Sequence, residues 1–278
     1  MWQNLQIFLS SQGRIPIAWR LPSKHRVAKG FDIANIRDFL PGDSPRNINR
    51  KRFLFKGDLL VYEKHPDSNA LILLLLDVSA SEYTGAVRKK IEAGIDLIRY
   101  LGIACLKRGH SLQVVAFTDM VEFETAIICN NHALEEALED LRTFSPAHQT
   151  TDCVDAIEYA FFSATRPDQP ADMVCIVSDL YFPAPYQELY LQLADLKEIT
   201  DIVVICLQDQ IEVDPPPIAG PLLGRDVESG AMIWGMPPHE IGLLQELQHL
   251  AIDCCFLETG QTEENWYYTL NDFFTGRL

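Results

Sequence analysis

The chain has 278 residues, 47% of them hydrophobic and 22% charged. That composition supplies one large or two small apolar cores and excludes a disordered or fibrous protein. The formal net charge is −16, which argues against nucleic acid as a partner of the main body.

The charge is unevenly placed. Residues 1–56 hold 11 Lys and Arg against 3 Asp and Glu, a balance of +8, while residues 57–278 hold 12 against 36, a balance of −24. Such asymmetry marks either an anionic partner for the basic end or a basic arm folded back on an acidic body; the second reading is preferred. Cysteines stand at 105, 129, 153, 175, 206, 254 and 255. Their number is odd and no pair has metal-ligand or redox spacing, so buried, reduced thiols of a cytoplasmic protein are expected rather than a disulfide framework. The adjacent Cys254 and Cys255 are expected to point to opposite sides of a strand. No signal peptide is evident, and no run approaches the roughly 20 apolar residues of a membrane span.

In chain order, residues 1–30 lack periodicity and read as a basic arm carrying Arg14, Arg20, Lys24, Arg26 and Lys29. The turn-forming Pro41–Arg46 follows, then a turn at Lys56-Gly57-Asp58 that feeds a strand. ALILLLLD, ending at Asp77, is the continuous apolar strand of a parallel sheet. The spacing predicts a helix over Val87–Lys107, then the strand SLQVVAFT and a short edge strand in VEFETAIIC. Helices over His132–Arg142 and Cys153–Ala164 precede the strand MVCIVSD, which ends at Asp179. A helix over Pro185–Glu198, the strand DIVVICL, a small hairpin in GRDVESGAMIWG, a helix over His239–Leu250, the strand DCCFLE and a helix over Glu263–Phe274 complete the chain. Alternating strands and helices imply right-handed crossovers, hence an α/β, doubly wound, mainly parallel sheet. The expected organisation is a basic N-terminal segment, 1–66, packed on a main domain, 67–278.

Ligands of such sheets sit at the carboxyl ends of the strands, near the topological switch point. Two apolar strands end in aspartate there, Asp77 and Asp179. Asp77-Val78-Ser79-Ala80-Ser81 sets a carboxylate and two hydroxyls at alternate positions, hard oxygen donors that suit Mg²⁺ or Mn²⁺. Each residue also has a plainer reading. Asp77 can end a strand and cap a helix, and Ser79 and Ser81 can be turn or cap residues. Thr151 and Asp152 can open the helix at Cys153. Glu82 and Tyr83 flank the loop, where a solvated position is expected of both, and His148 reads as a loop residue.

DxSxS after an apolar strand resembles the metal-ion-dependent adhesion site of von Willebrand factor A domains. HQTTDCVDAI resembles that family's threonine loop, with Thr151 the better match and Thr150 the alternative, and IVSD resembles its aspartate loop at Asp179. The resemblance implies a divalent cation held by Asp77, Ser79, Ser81, Thr151 and Asp179, the aspartates partly through water, with one position open to an acidic side chain of a partner. IRDFLPGDSPRNINRKR before that domain, and RDVESGAMIW and DCCFLETG…LNDFF…R after it, are similar to the bacterial family called domain of unknown function 58 over roughly residues 30–278. Two departures are visible: Arg50 stands where the family often has tryptophan, and the family's usual membrane helices do not precede the domain. The family resemblance implies an adaptor working with a MoxR-type AAA+ ATPase in assembly or maturation of a client. No nucleophile elbow, phosphate loop or H-E-x-x-H is present, so an interaction module rather than an enzyme is expected. Its rivals are a metal-free scaffold of the same fold and a Mg²⁺-dependent phosphohydrolase.

Overall fold

In the computed structural model, residues 1, 2, 5, 33–38, 60–64, 70–85, 87–148, 150–182, 185–213, 222–225, 232–235 and 242–277 are described. They fall into two compact units, residues 18–69 on the one hand and residues 1–17 with 70–278 on the other. Within the smaller unit, β1 (Ile33–Asp38) and β2 (Leu60–Lys64) form an antiparallel pair with an irregularity between Ile33 and Asn35. The basic side chains singled out between residues 14 and 29 lie outside the described residues.

The larger unit is organised by the apolar run Leu71–Leu76, which offers no polar position to water and must be covered on both faces. It forms β3 (Leu71–Asp77), buried at all seven positions. The other strands of its sheet are β4 (Ser111–Phe117), β5 (Val121–Glu124), β6 (Ala171–Ser178), β7 (Asp201–Gln208) and β10 (Asp253–Glu258), in the order β10-β7-β6-β3-β4-β5. All neighbours are parallel except the edge strand β5, which is antiparallel to β4. The remaining strands, β8 (Leu222–Arg225) and β9 (Met232–Gly235), pair as the expected hairpin.

Helices cover both faces. They are α1 (Lys90–Lys107), α2 (Asn131–Thr143), α3 (Val154–Thr165), α4 (Gln187–Lys197), the single turn α5 (Gln210–Val213), α6 (Gly242–His249) and α7 (Glu263–Gly276). The period of two along β3 sorts its side chains between them. Ile72, Leu74 and Leu76 join a core with Leu97 and Leu101 of α1, Leu134 and Leu138 of α2, and Trp266, Leu270 and Phe274 of α7. Leu73 and Leu75 face Ile157 and Ala160 of α3, Leu189 and Leu193 of α4, and Leu243 and Leu247 of α6. The sheet is doubly wound, as expected. The first core also takes in Trp2, whose ring stacks on Tyr100 with centroids 4.2 Å apart.

Two features depart from expectation. The helix expected from Val87 begins three residues later, and a 3₁₀ turn (Ala80–Tyr83) precedes it. Gly85, at φ 152°, separates the two; a Cβ there would lie 2.0 Å from the carbonyl oxygen of Arg88, so the chain turns at this residue only as glycine. Second, the cysteines are not uniformly buried: Cys129 is exposed. Cys254 and Cys255 do point to opposite faces of β10, each packed against one of the two cores.

At the amino ends of the strands, Arg277 clamps the last helix to the sheet. Its Nη2 lies 2.8 Å from Asp201 Oδ1 and its Nε 2.7 Å from Asp253 Oδ2. Arg277 and Asp201 are both nearly excluded from solvent. Replacing one member of a buried pair strands the other charge, so Arg277→Met is expected to lower the unfolding free energy by about 3 kcal/mol. Urea denaturation checks this; a loss under about 1 kcal/mol, the scale of a surface ion pair, would show that the clamp is not closed in solution.

Candidate metal centre

The strand order places the topological switch point between β3 and β6: the chain leaves β3 for β4 on one side and returns to β6 on the other. At this point the parallel ladder brings Leu76 opposite Val177, so the residues that follow, Asp77 and Ser178, emerge side by side. Asp77 is fully buried. Its Oδ2 accepts the Ser178 hydroxyl at 2.8 Å and its Oδ1 accepts the Ser79 N–H at 2.9 Å. Ser79 then opens the 3₁₀ turn, its carbonyl accepting the Glu82 N–H at 3.1 Å. Its hydroxyl caps nothing and lies 3.1 Å from the Ser81 hydroxyl. The plainer cap reading therefore does not account for Ser79. The loop directs one carboxylate and two hydroxyls to one place.

Asp179 follows Ser178 at the end of β6 and is buried. Leu180 beyond it is held at φ 64°, a left-handed conformation that a leucine adopts at a cost. Hydrogen bonds fix the bend: the Leu180 N–H donates to Ser178 Oγ at 2.9 Å and the Tyr181 N–H to Asp179 Oδ1 at 3.1 Å. Asp179 Oδ2 accepts from Lys90 Nζ at 3.0 Å. Lys90, at the start of α1, is itself buried. It also reaches Glu212 Oε1 at 2.6 Å and lies 5.6 Å from the centre of the Tyr181 ring.

Thr151 reaches the same rim by a longer route. The loop between α2 and α3 is pinned to β5 by Glu122, whose two carboxylate oxygens accept the N–H groups of Ala147 (3.0 Å) and His148 (2.8 Å). His148 Nδ1 lies 2.6 Å from Asp119 Oδ1, so this histidine fastens the loop. The Asp152 N–H then donates to the Thr118 carbonyl at 3.1 Å, just past the end of β4 and one strand from Asp77. The Asp152 side chain accepts the Val154 N–H at 3.0 Å and opens α3, so Asp152 does the capping. Thr151 is buried and Thr150 is exposed.

A carboxylate of the site was missed. Glu82 is not solvated but 1% exposed, and an oxygen from each of Asp77, Glu82 and Asp179 lies within 4.8 Å of the other two. The sequence signal was ambiguous. Ser79-Ala80-Ser81-Glu82 has the form of a capping box, in which the glutamate accepts the serine N–H. Here Asp77 already takes that N–H. Glu82 Oε1 instead accepts the N–H of Asp179 at 2.9 Å, and Oε2, also buried, has no partner.

The electrostatics follow from burial. Asp77 is pushed up to about 7 by burial and by Asp179, against the opposing hydrogen bonds from Ser79 and Ser178. Burial, Asp179 and Asp77 hold the Glu82 carboxyl well above its usual range, more than Lys90 and the Asp179 N–H can offset. Burial works against the Lys90 ammonium, yet Asp179, Glu82 and Glu212 outweigh it and stabilise the charged form. Three buried carboxylates thus share one buried ammonium, which is itself divided with Glu212. Leaving such charge uncompensated is expensive. Hard oxygen donors, excess negative charge and an orphaned carboxylate oxygen all fit a divalent cation such as Mg²⁺ or Mn²⁺. Bound there, the ion would supply positive charge and Lewis acidity.

A raised carboxyl stabilises the folded state in its protonated form. The contribution of Asp77 is therefore present below the ordinary value of 3.8 and is lost as pH rises toward about 7. Asp77→Asn cannot ionise. In chelator, the melting temperature of wild type minus that of Asp77→Asn is expected to fall as pH rises through this window. Thermal melts at a series of pH values check it, and a pH-independent difference would contradict the burial of a metal-free charge.

No curated protein matches the sequence significantly. Among solved structures, the fold is similar to that of the conserved hypothetical protein BatB from Bacteroides thetaiotaomicron, at 15% identity and a TM-score of 0.52, covering 75% of this chain and 98% of that one. It is also similar to an aerotolerance-related membrane protein from Bacteroides fragilis, at 18% identity and a TM-score of 0.51, covering 74% and 99%. A von Willebrand factor type A protein from Catenulispora acidiphila aligns at 18% identity and a TM-score of 0.41, over 78% of this chain and 43% of that one. No described helix is long and apolar enough to cross a membrane. The family model described as "Protein of unknown function DUF58" matches residues 35–235, well over half of the sequence, and the chain belongs to that family.

Proposed function

We propose that this protein is a metal-dependent protein-interaction module rather than an enzyme. A Mg²⁺ or Mn²⁺ ion at the β3–β6 switch point is held by Asp77, Ser79, Ser81, Thr151 and Asp179 and grips an aspartate or glutamate of a partner. The observation that carries the reading is the convergence of buried carboxylates from β3, the 3₁₀ turn and β6 on one point, beside the paired hydroxyls of Ser79, which caps nothing, and Ser81. Hydroxyl ligands are neutral, so an ion bound partly through them keeps charge to offer an incoming carboxylate. The similarity to the family supports a MoxR-type AAA+ ATPase as the partner and a cytoplasmic adaptor role in maturing a client.

One observation favours the metal-free scaffold: Lys90 already satisfies one oxygen of Asp179. The two readings separate on linkage. A ligand of the native state stabilises it by about 2.7 kcal/mol at a hundredfold excess over its dissociation constant. Millimolar Mg²⁺ or Mn²⁺ is expected to raise the melting temperature of wild type and leave Asp77→Ala unmoved; no shift in wild type leaves the scaffold. The function itself is tested by binding of a purified MoxR-type AAA+ ATPase to wild type and Asp77→Ala, each with Mg²⁺ or EDTA. Capture is expected only for wild type with metal, and equal capture under all four conditions would refute the mechanism. Turnover of phosphate esters abolished in Asp77→Ala would favour the phosphohydrolase instead.

A further inference from the structure

Glu82 is part of neither the adhesion-site pattern nor any capping interaction, yet it is placed as a ligand would be. A 3₁₀ turn has three residues per turn, so side chains three apart lie one above the other. Glu82 therefore projects on the same side as Ser79, over the loop that carries Asp77. One of its oxygens is engaged by the Asp179 N–H, which fixes the side chain. The other is shielded from solvent with no donor at all. A buried carboxylate oxygen without a donor costs more than almost any other unsatisfied group. The nearby donors are engaged elsewhere: Lys90 Nζ hydrogen-bonds Asp179 and Glu212, and the Ser178 hydroxyl donates to Asp77. A cation among Asp77, Glu82 and Asp179 satisfies it.

We propose that Glu82 is a direct ligand of the cation, a third carboxylate supplied by the chain itself in the position otherwise left to a partner. The inference rests on the metal reading above and adds a ligand to it. It also changes the character of the centre. Asp77, Glu82 and Asp179 bring three negative charges against one from Lys90, which is itself shared with Glu212, so a divalent ion offsets charge that the ammonium leaves unmatched. The centre is then complete without a partner, and a partner carboxylate gains a place by replacing Glu82.

The test uses Mn²⁺ alone, with the full chain. Wild type is expected to bind one Mn²⁺, measured by electron paramagnetic resonance of the free ion. Glu82→Gln keeps the shape and removes the charge. It is expected to weaken binding by at least the roughly tenfold that even an outer-sphere partner costs. Water-proton relaxation should show one more exchangeable water on its bound Mn²⁺, which a merely positioning residue would not change. With metal chelated, Glu82→Gln is expected to melt no lower than wild type, since a buried charge is removed. Unchanged affinity and hydration in Glu82→Gln, with Asp77→Ala abolishing binding, overturn the assignment of Glu82 while leaving the metal reading intact. No Mn²⁺ bound by wild type overturns both. Anomalous scattering from Mn²⁺-soaked crystals of wild type needs no variant. Mn²⁺ at bonding distance from Glu82 supports the proposal, and Mn²⁺ on Asp77 and Ser79 with Glu82 apart from it overturns it.

Discussion

Charge held away from water must be matched by charge, and that requirement governs the upper rim of this sheet. Asp77, Glu82 and Asp179 are each almost wholly excluded from solvent, and Asp179 lies near enough to raise the proton affinity of the other two. Lys90 is drawn into the interior because of them. Carried on a helix whose other buried positions are mostly apolar, its ammonium ends between Asp179 and Glu212. Burial alone would discharge this lysine; surrounded by three carboxylates, it stays charged. Hydrogen bonds do the rest of the local work, with the N–H groups of Ser79, Asp179 and Tyr181 each aimed at one carboxylate of the cluster.

The position of the cluster is a consequence of winding. Because β4 lies on one side of β3 and β6 on the other, the connections diverge above the sheet and leave a crevice between the two strand ends. Six apolar residues drive β3 through the middle of the core, and the register with β6 is set by the same alternation that feeds the two helical layers. The strands are thus built for burial, and the aspartates are what remains where the apolar pattern stops. Gly94 tightens the arrangement from below, since a Cβ there would come within 2.7 Å of the Leu76 side chain, one residue before Asp77. A larger residue at this point of helix α1, which carries Lys90, would make the Leu76 side chain shift.

Most of this architecture was legible in the sequence because it rests on periodicity. The Leu71–Leu76 run, the alternation of strands with helices and the two strand-end aspartates are local patterns with one physical meaning each. The DxSxS loop was legible as donor chemistry. What escaped were features that depend on competition between groups distant in the chain. Glu82 carries the signature of a capping box, and nothing local shows that Asp77 takes the N–H the glutamate would have accepted. Lys90 sits among helix residues and looks solvated until Asp179, 89 positions away, meets it. His148, plausible as a plain loop residue, fastens that loop through Asp119. The late start of α1 was signalled by Gly85, whose positive φ no periodicity reports.

The charge count also bears on how such a centre could hold a partner. An ion bound by Asp77 and two hydroxyls alone would retain positive charge and attract any carboxylate in solution, including those of a body whose own balance over residues 57–278 is −24. With Glu82 on the ion, a third carboxylate offsets more of its charge and that indiscriminate attraction is weakened. A partner's acidic side chain then competes with a tethered carboxylate present at high effective concentration. It prevails only if other contacts around the rim contribute as well. Glu82 retains a resting place when displaced, because the Asp179 N–H already holds its other oxygen. Selectivity would thus come from the surface around Ala80 and Ser81, the half-buried members of the loop, with the ion supplying a condition of binding and the surrounding contacts deciding which carboxylate meets it.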